Sequence, residues 1–287
     1  MKKCILLILC FILFVSCVKQ VPEELAPIDF EGRTTVDAVI ESLLLGKDTR
    51  LWPEDAAIGL CGSVSGTNEK YLLRKADASL REAVFYGPKV VGNVASYYPW
   101  NPSYTGSWGR MTVTLDNNQK YVQTSGALEQ FISYCPMAFG FESGGKVEFQ
   151  YPFGVLAVKV ALEEDLQLDG IILSSESIPF AGTGIVTKEG ITFPESASRS
   201  INLSFDAPAS IHDGSGNPVP FYFILPPFEF HDLKIDFRFS GEEPFVCDVG
   251  DIQVPRIDAS SFSLLSIVVG TNGPEGFTPV NVQFDEE

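Results

Sequence analysis

Cys17 is the residue with the clearest chemistry in this chain of 287 residues. It follows a pair of N-terminal lysines and an apolar run over 5–15, and the Phe-Val-Ser-Cys sequence that ends the run is typical of a bacterial lipoprotein signal. The cysteine of such a signal is thioether-linked to diacylglycerol before cleavage. We therefore expect residues 1–16 to be a signal peptide and Cys17 to carry a lipid anchor, which binds a membrane far more firmly than one acyl chain.

Nucleophiles with a nearby base are scarce in the rest of the sequence. The two histidines, His212 and His231, lie in no catalytic or metal-binding motif, and no phosphate loop or nucleophile elbow is present. Three cysteines would remain after acylation, Cys61, Cys135 and Cys247, at spacings that match no zinc or redox motif, so we interpret them as buried thiols. We expect no enzyme activity, cofactor or metal site.

The net negative charge of the chain excludes nucleic acid as a partner. The full chain has a net charge of -17, and loss of the signal leaves 18 basic against 37 acidic residues, about -19. Such a charge repels nucleic acid.

An aromatic cluster is the one place that suggests ligand contact. Its members lie in a loop rich in Gly, Ser and Asn: Tyr97, Tyr98, Trp100, Tyr104 and Trp108. Exposed aromatic side chains stack on sugar rings and anchor protein interfaces. The same residues at the end of a strand can instead pack into their own core, and we favour that interpretation.

Short β-prone runs separated by Gly, Pro and Asn/Asp clusters position these residues. A first set lies at 58–60, 71–73, 83–86, 90–98, 111–115 and 120–124, and a second at 146–151, 154–162, 170–174, 190–193, 199–205, 220–225, 232–239 and 261–269. The Ser-Gly-Gly sequence at 143–145 between the two sets predicts a domain boundary. The pattern predicts an all-β protein with domains at 51–144 and 145–287, the second a β-sandwich.

The ends of the mature chain differ from this pattern. Residues 17–50 are predicted to be a tether, in which 28–30 forms a short leading strand and 35–45 an amphipathic helix. A last strand is predicted at 279–284, beyond a Gly/Pro hinge at 273–276.

Several motifs in order resemble the fimbrillin family of Bacteroidetes surface lipoproteins. Residues 52–60 are similar to the Trp-x-x-x-Asp-x-Ile-Gly opening of that family, with one extra residue between Asp and Ile, and Tyr97-Tyr98-Pro99-Trp100 resembles its Ala-Tyr-Tyr-Pro-Tyr signature. Residues 149–158, 171–175, 180–183 and 223–226 resemble its later strands.

The resemblance implies two transthyretin-like Greek-key β-sandwich domains in tandem and a lipid that routes a precursor to the outer membrane. It also implies removal of the leading strand by an arginine-specific protease, for which Arg33 and Arg50 are the candidate sites, and assembly with other fimbrial subunits by donor-strand exchange, with 279–284 as the donor. The role would be structural, with a host or bacterial surface receptor or glycan as a further partner. Shaft, tip and anchor positions all stay open.

Two alternatives also stay open. A glycan-binding surface lipoprotein requires the aromatic cluster to form an exposed flat platform. A hydrolase requires two carboxyl groups within about 5–10 Å in a cleft, and no such pair stands out in the sequence.

Overall fold

The computed structural model describes residues 33–40, 51–121, 127–143, 145–162, 166–249, 256–271 and 277–286. The signal peptide, Cys17, the 28–30 strand, Arg50 and the hinge at 273–276 lie outside this range. The strands are β1 (Arg33–Ile40), β2 (Ala57–Gly62), β3 (Glu69–Leu73), β4 (Glu82–Val90), β5 (Val94–Tyr98), β6 (Met111–Leu115), β7 (Asn118–Lys120), β8 (Ala138–Ser143), β9 (Lys146–Gln150), β10 (Gly154–Ala161), β11 (Gln167–Ser174), β12 (Gly182–Thr187), β13 (Gly190–Thr192), β14 (Ser200–Ser210), β15 (Pro220–Leu225), β16 (Lys234–Phe239), β17 (Phe245–Asp248), β18 (Phe262–Thr271) and β19 (Phe277–Glu286). The prediction of an all-β protein is confirmed.

The first sheet has seven strands and closes on itself. Its order is β1-β4-β3-β2-β5-β8-β9, and β9 pairs with β1 to complete the circle. Alternation of apolar and polar residues produces this arrangement: in β9, Val147 and Phe149 are buried while their neighbours are exposed.

Gly59 shows how tightly the interior of this sheet is filled. A Cβ atom at this position would lie 2.1 Å from Cε1 of Tyr97 on the adjacent strand β5. Only glycine therefore allows the Tyr97 ring to approach β2 this closely.

Two further sheets pack face to face. One has the order β15-β10-β18-β19 and the other β17-β16-β11-β14-β7. Phe205 of β14 contacts Phe221 of β15 with ring centroids 5.6 Å apart. Between the sheets, the buried amide of Gln119 donates to the carbonyl of Ile224 and accepts from its N–H, both at 2.9 Å. The two sheets thus form a β-sandwich with a shared core.

Strand pairing crosses the predicted boundary at 144/145. The turn at this position joins β8 and β9, which are adjacent antiparallel strands of the first sheet, so that sheet continues to Gln150. Strand β6 pairs with β12 and β7 with β14. All described residues belong to one compact unit, Gly32–Glu287. The tandem Greek-key division stays a prediction.

The predicted N-terminal helix is wrong over its described part. Residues 35–40 belong to β1, since β4 and β9 offer hydrogen-bonding edges on both sides of them. An unpredicted helix, α1 (Ala127–Tyr134), and a 3-10 turn at Lys75–Asp77 occur elsewhere. No helix in the described ranges combines the length and apolar character needed to cross a bilayer.

Candidate functional site

The leading strand β1 fills a gap in the closed sheet. It pairs antiparallel with β4, from Arg33 opposite Val90 to Val39 opposite Glu82, and parallel with β9 from Ala38 onward. The backbone pairing of β1 is therefore divided between two strands that are distant from each other in sequence. Without β1, each of these strands would present an unpaired edge.

The inner face of β1 belongs to the core. Val36, Ala38 and Ile40 are at most 4% exposed, and Val36 and Ile40 lie opposite Phe85 and Phe149 respectively. The alternate residues face outward, with Asp37 exposed. The strand therefore contributes both backbone pairing and apolar side chains to the sheet.

Trp52 covers the core next to β1. Its ring contacts Phe85 and Phe149 at centroid distances of 4.9 and 5.4 Å. The indole N–H donates to the carbonyl of Arg81 at 2.9 Å, and the guanidinium Nε of Arg81 donates to the carbonyl of Ile40 at 3.1 Å. Trp52 and the end of β1 thus share one neighbour, Arg81.

An ion pair spans the outer face of β1. Nζ of Lys146, on β9, lies 2.8 Å from Oε2 of Glu82, on β4. Neighbouring strands are about 4.8 Å apart, so the two side chains bridge about 10 Å across β1. The hydrogen bond from Lys146 lowers the pKa of Glu82, and the same bond, together with the charge of Asp37, raises the pKa of Lys146. Both strands that hold β1 are therefore also tied to each other.

The two arginines differ in their position relative to β1. Arg33 is the first residue of the strand, whereas Arg50 follows the strand in sequence and lies outside the described residues. Cutting the chain after Arg33 leaves 34–40 attached to the body, but cutting after Arg50 separates all of β1 from β2.

The C-terminal strand β19 lies at the edge of its sheet. It pairs antiparallel with β18 from Ser263 opposite Glu286 to Thr271 opposite Phe277, and the register shifts between Val268 and Val269. On its other side β18 pairs in parallel with β10. The expected donor strand is therefore already formed, and among the described strands its backbone pairs with β18 alone.

The aromatic cluster divides into buried and exposed members. Tyr97 is fully buried, and its ring centroid lies 4.1 Å from that of Tyr104. Tyr98 and Trp100 are partly buried, and Nζ of Lys70 lies 4.5 Å from the Trp100 ring centroid. Trp108 is 44% exposed. As a set, these residues do not form a flat exposed platform.

The residues with chemical potential elsewhere are dispersed. Cys61, Cys135 and Cys247 are buried thiols, and burial raises the pKa of Cys247 to about 11. His231 lies 3.8 Å from Glu229 at the surface, and His212 closes a short bridge to Pro218. Among the described residues no group of three or more His, Cys, Asp or Glu is placed to hold a metal.

Sequence reasoning missed the strand character of β1 and the Glu82–Lys146 pair. The alternation of Val36, Ala38 and Ile40 was the available signal for the strand, but the apolar residues also fit helical spacing. Nothing in the sequence indicates that positions 82 and 146 flank the same strand.

No protein-family model matches the chain, and no curated protein does. Solved structures do match. A candidate cell adhesion protein from Bacteroides uniformis is 15% identical, with 89% of this chain and 99% of that one covered and a TM-score of 0.51. The tip fimbrial protein Mfa3 from Porphyromonas gingivalis, with a C-terminal truncation, is 10% identical, covering 88% and 99%, with a TM-score of 0.44. The fimbrial anchor protein Mfa2 from the same organism is 11% identical, covering 88% and 97%, with a TM-score of 0.45. The chain shares its fold with the first of these proteins.

Proposed function

We propose that this chain, which has the fold of a candidate cell adhesion protein from Bacteroides uniformis, is a structural subunit of a surface fimbria with a role in cell adhesion. The observation that carries the proposal is β1, a leading strand that completes a closed sheet between β4 and β9. The role is structural and non-enzymatic, and the partners are other fimbrial subunits.

Strand exchange follows from what β1 supplies. Its removal would leave unpaired N–H and C=O groups on β4 and β9 and an apolar slot where Val36, Ala38 and Ile40 had packed. A strand donated by a neighbouring subunit satisfies both needs, because its backbone pairs with the two edges while alternate side chains fill the slot. Repetition of this head-to-tail contact gives a filament.

The position of β1 favours Arg50 over Arg33 as the processing site. Scission after Arg33 would keep residues 35–40 in place, covalently joined to the body, so the slot would stay filled. Scission after Arg50 would make β1 a separate peptide that is free to leave.

The donor in this proposal is β19. Its sequence places Val280, Val282 and Phe284 at alternate positions, the same spacing as the three buried residues of β1. It includes Pro279, which an edge strand tolerates because one side of its backbone needs no donor. Exchange requires β19 to give up its pairing with β18.

In this proposal, the lipid on Cys17 determines where the precursor is delivered. The lipid carries the precursor to the outer membrane and the cell surface. If β1 is released, the subunit enters the shaft of the fibre without its lipid, and if the chain stays uncut, the lipid holds an anchor subunit to the cell.

The test compares variants of the full chain in cells that export it. Deleting 279–287 is expected to abolish the ladder of polymers in surface-sheared material, because the donor strand is lost, while the monomer stays folded. Arg50→Ala is expected to stop processing, with Arg33→Ala as the matched control that still polymerises. Polymers that persist after deletion of 279–287 would contradict strand donation by β19.

A further inference from the structure

Trp108 stands at the tip of a tight turn that points it into solvent. Ser107 and Arg110 exchange two backbone hydrogen bonds, of 3.1 and 2.9 Å, and Gly109 between them has a φ of +77°. The Trp108 side chain is 44% exposed. A fixed turn therefore holds a large apolar ring in water, which is typical of a binding residue rather than of a core residue.

The segment that supports this turn is also fixed. The hydroxyl of Tyr104 accepts from the N–H of Thr112 at 2.8 Å and donates to its carbonyl at 3.1 Å. The side-chain amide of Asn68 donates to the carbonyls of Asn101 and Tyr104 at 3.0 and 3.1 Å. Because the loop is already ordered, a ligand at Trp108 would bind without the entropic cost of ordering it.

A cleft of about 600 Å³ lies beside Trp108. Its apolar lining consists of Trp108, Phe141 within β8 and Val94 at the start of β5. The opposite wall is the turn between β12 and β13, which carries Lys188 and Glu189. Residues from three other parts of the fold thus line the cleft together with the Trp108 indole.

Polar groups surround this apolar lining. The cleft also includes Asn93 and Glu142, so amide, carboxylate and ammonium groups lie around the rings. A hydrogen bond from Thr187 lowers the pKa of Glu189. Aromatic faces bordered by a few hydrogen-bonding groups suit a ligand with one apolar face and a polar rim.

A pyranose ring has that character, because its C–H groups form an apolar face and its hydroxyl groups project around the edge. The charges of the cleft and of the whole chain narrow the class of glycan further. Glu142 and Glu189 outnumber Lys188 in the cleft, and the chain as a whole carries a net charge of -17, so acidic glycans are repelled.

We propose that the cleft beside Trp108 binds an uncharged pyranose unit of a surface glycan, stacked on the indole ring. This site is separate from the β1 slot, so it serves a fimbrial subunit as a receptor-binding surface and does not require strand exchange.

The test uses the full-length mature chain and defined polysaccharides in affinity gel electrophoresis. The neutral probes are galactomannan, xylan and a mixed-linkage β-glucan, and the acidic probe is polygalacturonate. Trp108→Ala removes the stacking surface and Trp108→Phe retains an aromatic face. Trp100→Phe is the control, since it alters a tryptophan of the same aromatic cluster that does not line the cleft. Thermal unfolding verifies that each variant is folded.

At least one neutral polymer is expected to retard the wild-type chain. Trp108→Ala should weaken this binding by about tenfold or more, Trp108→Phe by about threefold, and Trp100→Phe should leave it unchanged. The proposal is overturned if no neutral polymer binds, if polygalacturonate alone binds, or if binding survives in a folded Trp108→Ala variant.

Discussion

Replacing Ile40 with alanine should weaken the hold of the closed sheet on β1. Ile40 is 2% exposed and lies opposite Phe149 of β9. Its carbonyl accepts a hydrogen bond from the Arg81 guanidinium at 3.1 Å, a backbone contact that the substitution preserves. The change therefore removes apolar packing and leaves a cavity at the end of β1.

The magnitude follows from large-to-small substitutions in protein cores, which cost about 2–5 kcal/mol for isoleucine to alanine. We take the lower end, about 2 kcal/mol, because Ile40 is the last residue of its strand and its surroundings can partly collapse. If the loss falls on the bound state, the strand should dissociate about 30-fold faster once it is no longer covalently attached.

The assay needs a cut that does not depend on natural processing. A recognition sequence for a site-specific protease is placed within 41–50, the chain is cut, and release of the N-terminal peptide is followed by size-exclusion chromatography. Tryptophan fluorescence gives a second signal, because Trp52 contacts Phe85 and Phe149 beside β1. Val39→Ala, on the outer face of the same strand, is the control and should change the rate by less than about threefold. Equal release rates for Ile40→Ala and Val39→Ala would refute the claim that the inner face holds β1.

Three further predictions concern the body of the protein. Because the pKa of Glu82 is lowered, its pairing with Lys146 should stabilise the fold at neutral pH, and this stabilisation should be lost as pH falls through the lowered pKa. In urea titrations, the difference in stability between wild type and Glu82→Gln should therefore shrink at acid pH. A difference that does not depend on pH would contradict the pairing. Gly59→Ala should cost about 1–3 kcal/mol because its Cβ would meet the buried Tyr97 ring, and an unchanged urea midpoint would argue against this contact. Cys247, whose pKa burial raises to about 11, should react with a thiol reagent at pH 8 only as fast as the chain unfolds, whereas immediate labelling would show that it is accessible.

Strands with strong local patterns could be predicted from the sequence. The run at 220–225 coincides with β15 (Pro220–Leu225), and the alternation at 232–239 contains β16 (Lys234–Phe239). In β16 the apolar residues at every second position, Ile235, Phe237 and Phe239, are the ones buried, and in β15 the continuous apolar run ends in three buried residues. Local pattern and tertiary environment agree there, so the sequence is sufficient.

The state of β1 could not be decided in the same way. Apolar residues at 36, 39, 40, 43 and 44 fit a helix, and those at 36, 38 and 40 fit a strand. The choice depends on β4 and β9, which supply hydrogen-bonding edges from distant parts of the chain. Competition between a local helical pattern and nonlocal pairing is a common reason for such errors.

The candidate sites were harder still to predict from the sequence, because they depend on contacts between distant segments. The Glu82–Lys146 pair joins residues 64 positions apart, and the Trp108 cleft combines three segments that no motif connects. Composition did identify Trp108 as a candidate for ligand contact. Composition could not distinguish Trp108 from Tyr97, which belongs to the same aromatic cluster but is buried.

The central claim is that the place of β1 is taken by a strand from another subunit. A cryo-electron microscopy map of the assembled fibre tests it most directly, because the strand between β4 and β9 can be identified from its side-chain density. The account predicts residues 277–286 of a neighbouring subunit in that position. A fibre in which each shaft subunit retains its own residues 33–40 there would contradict it.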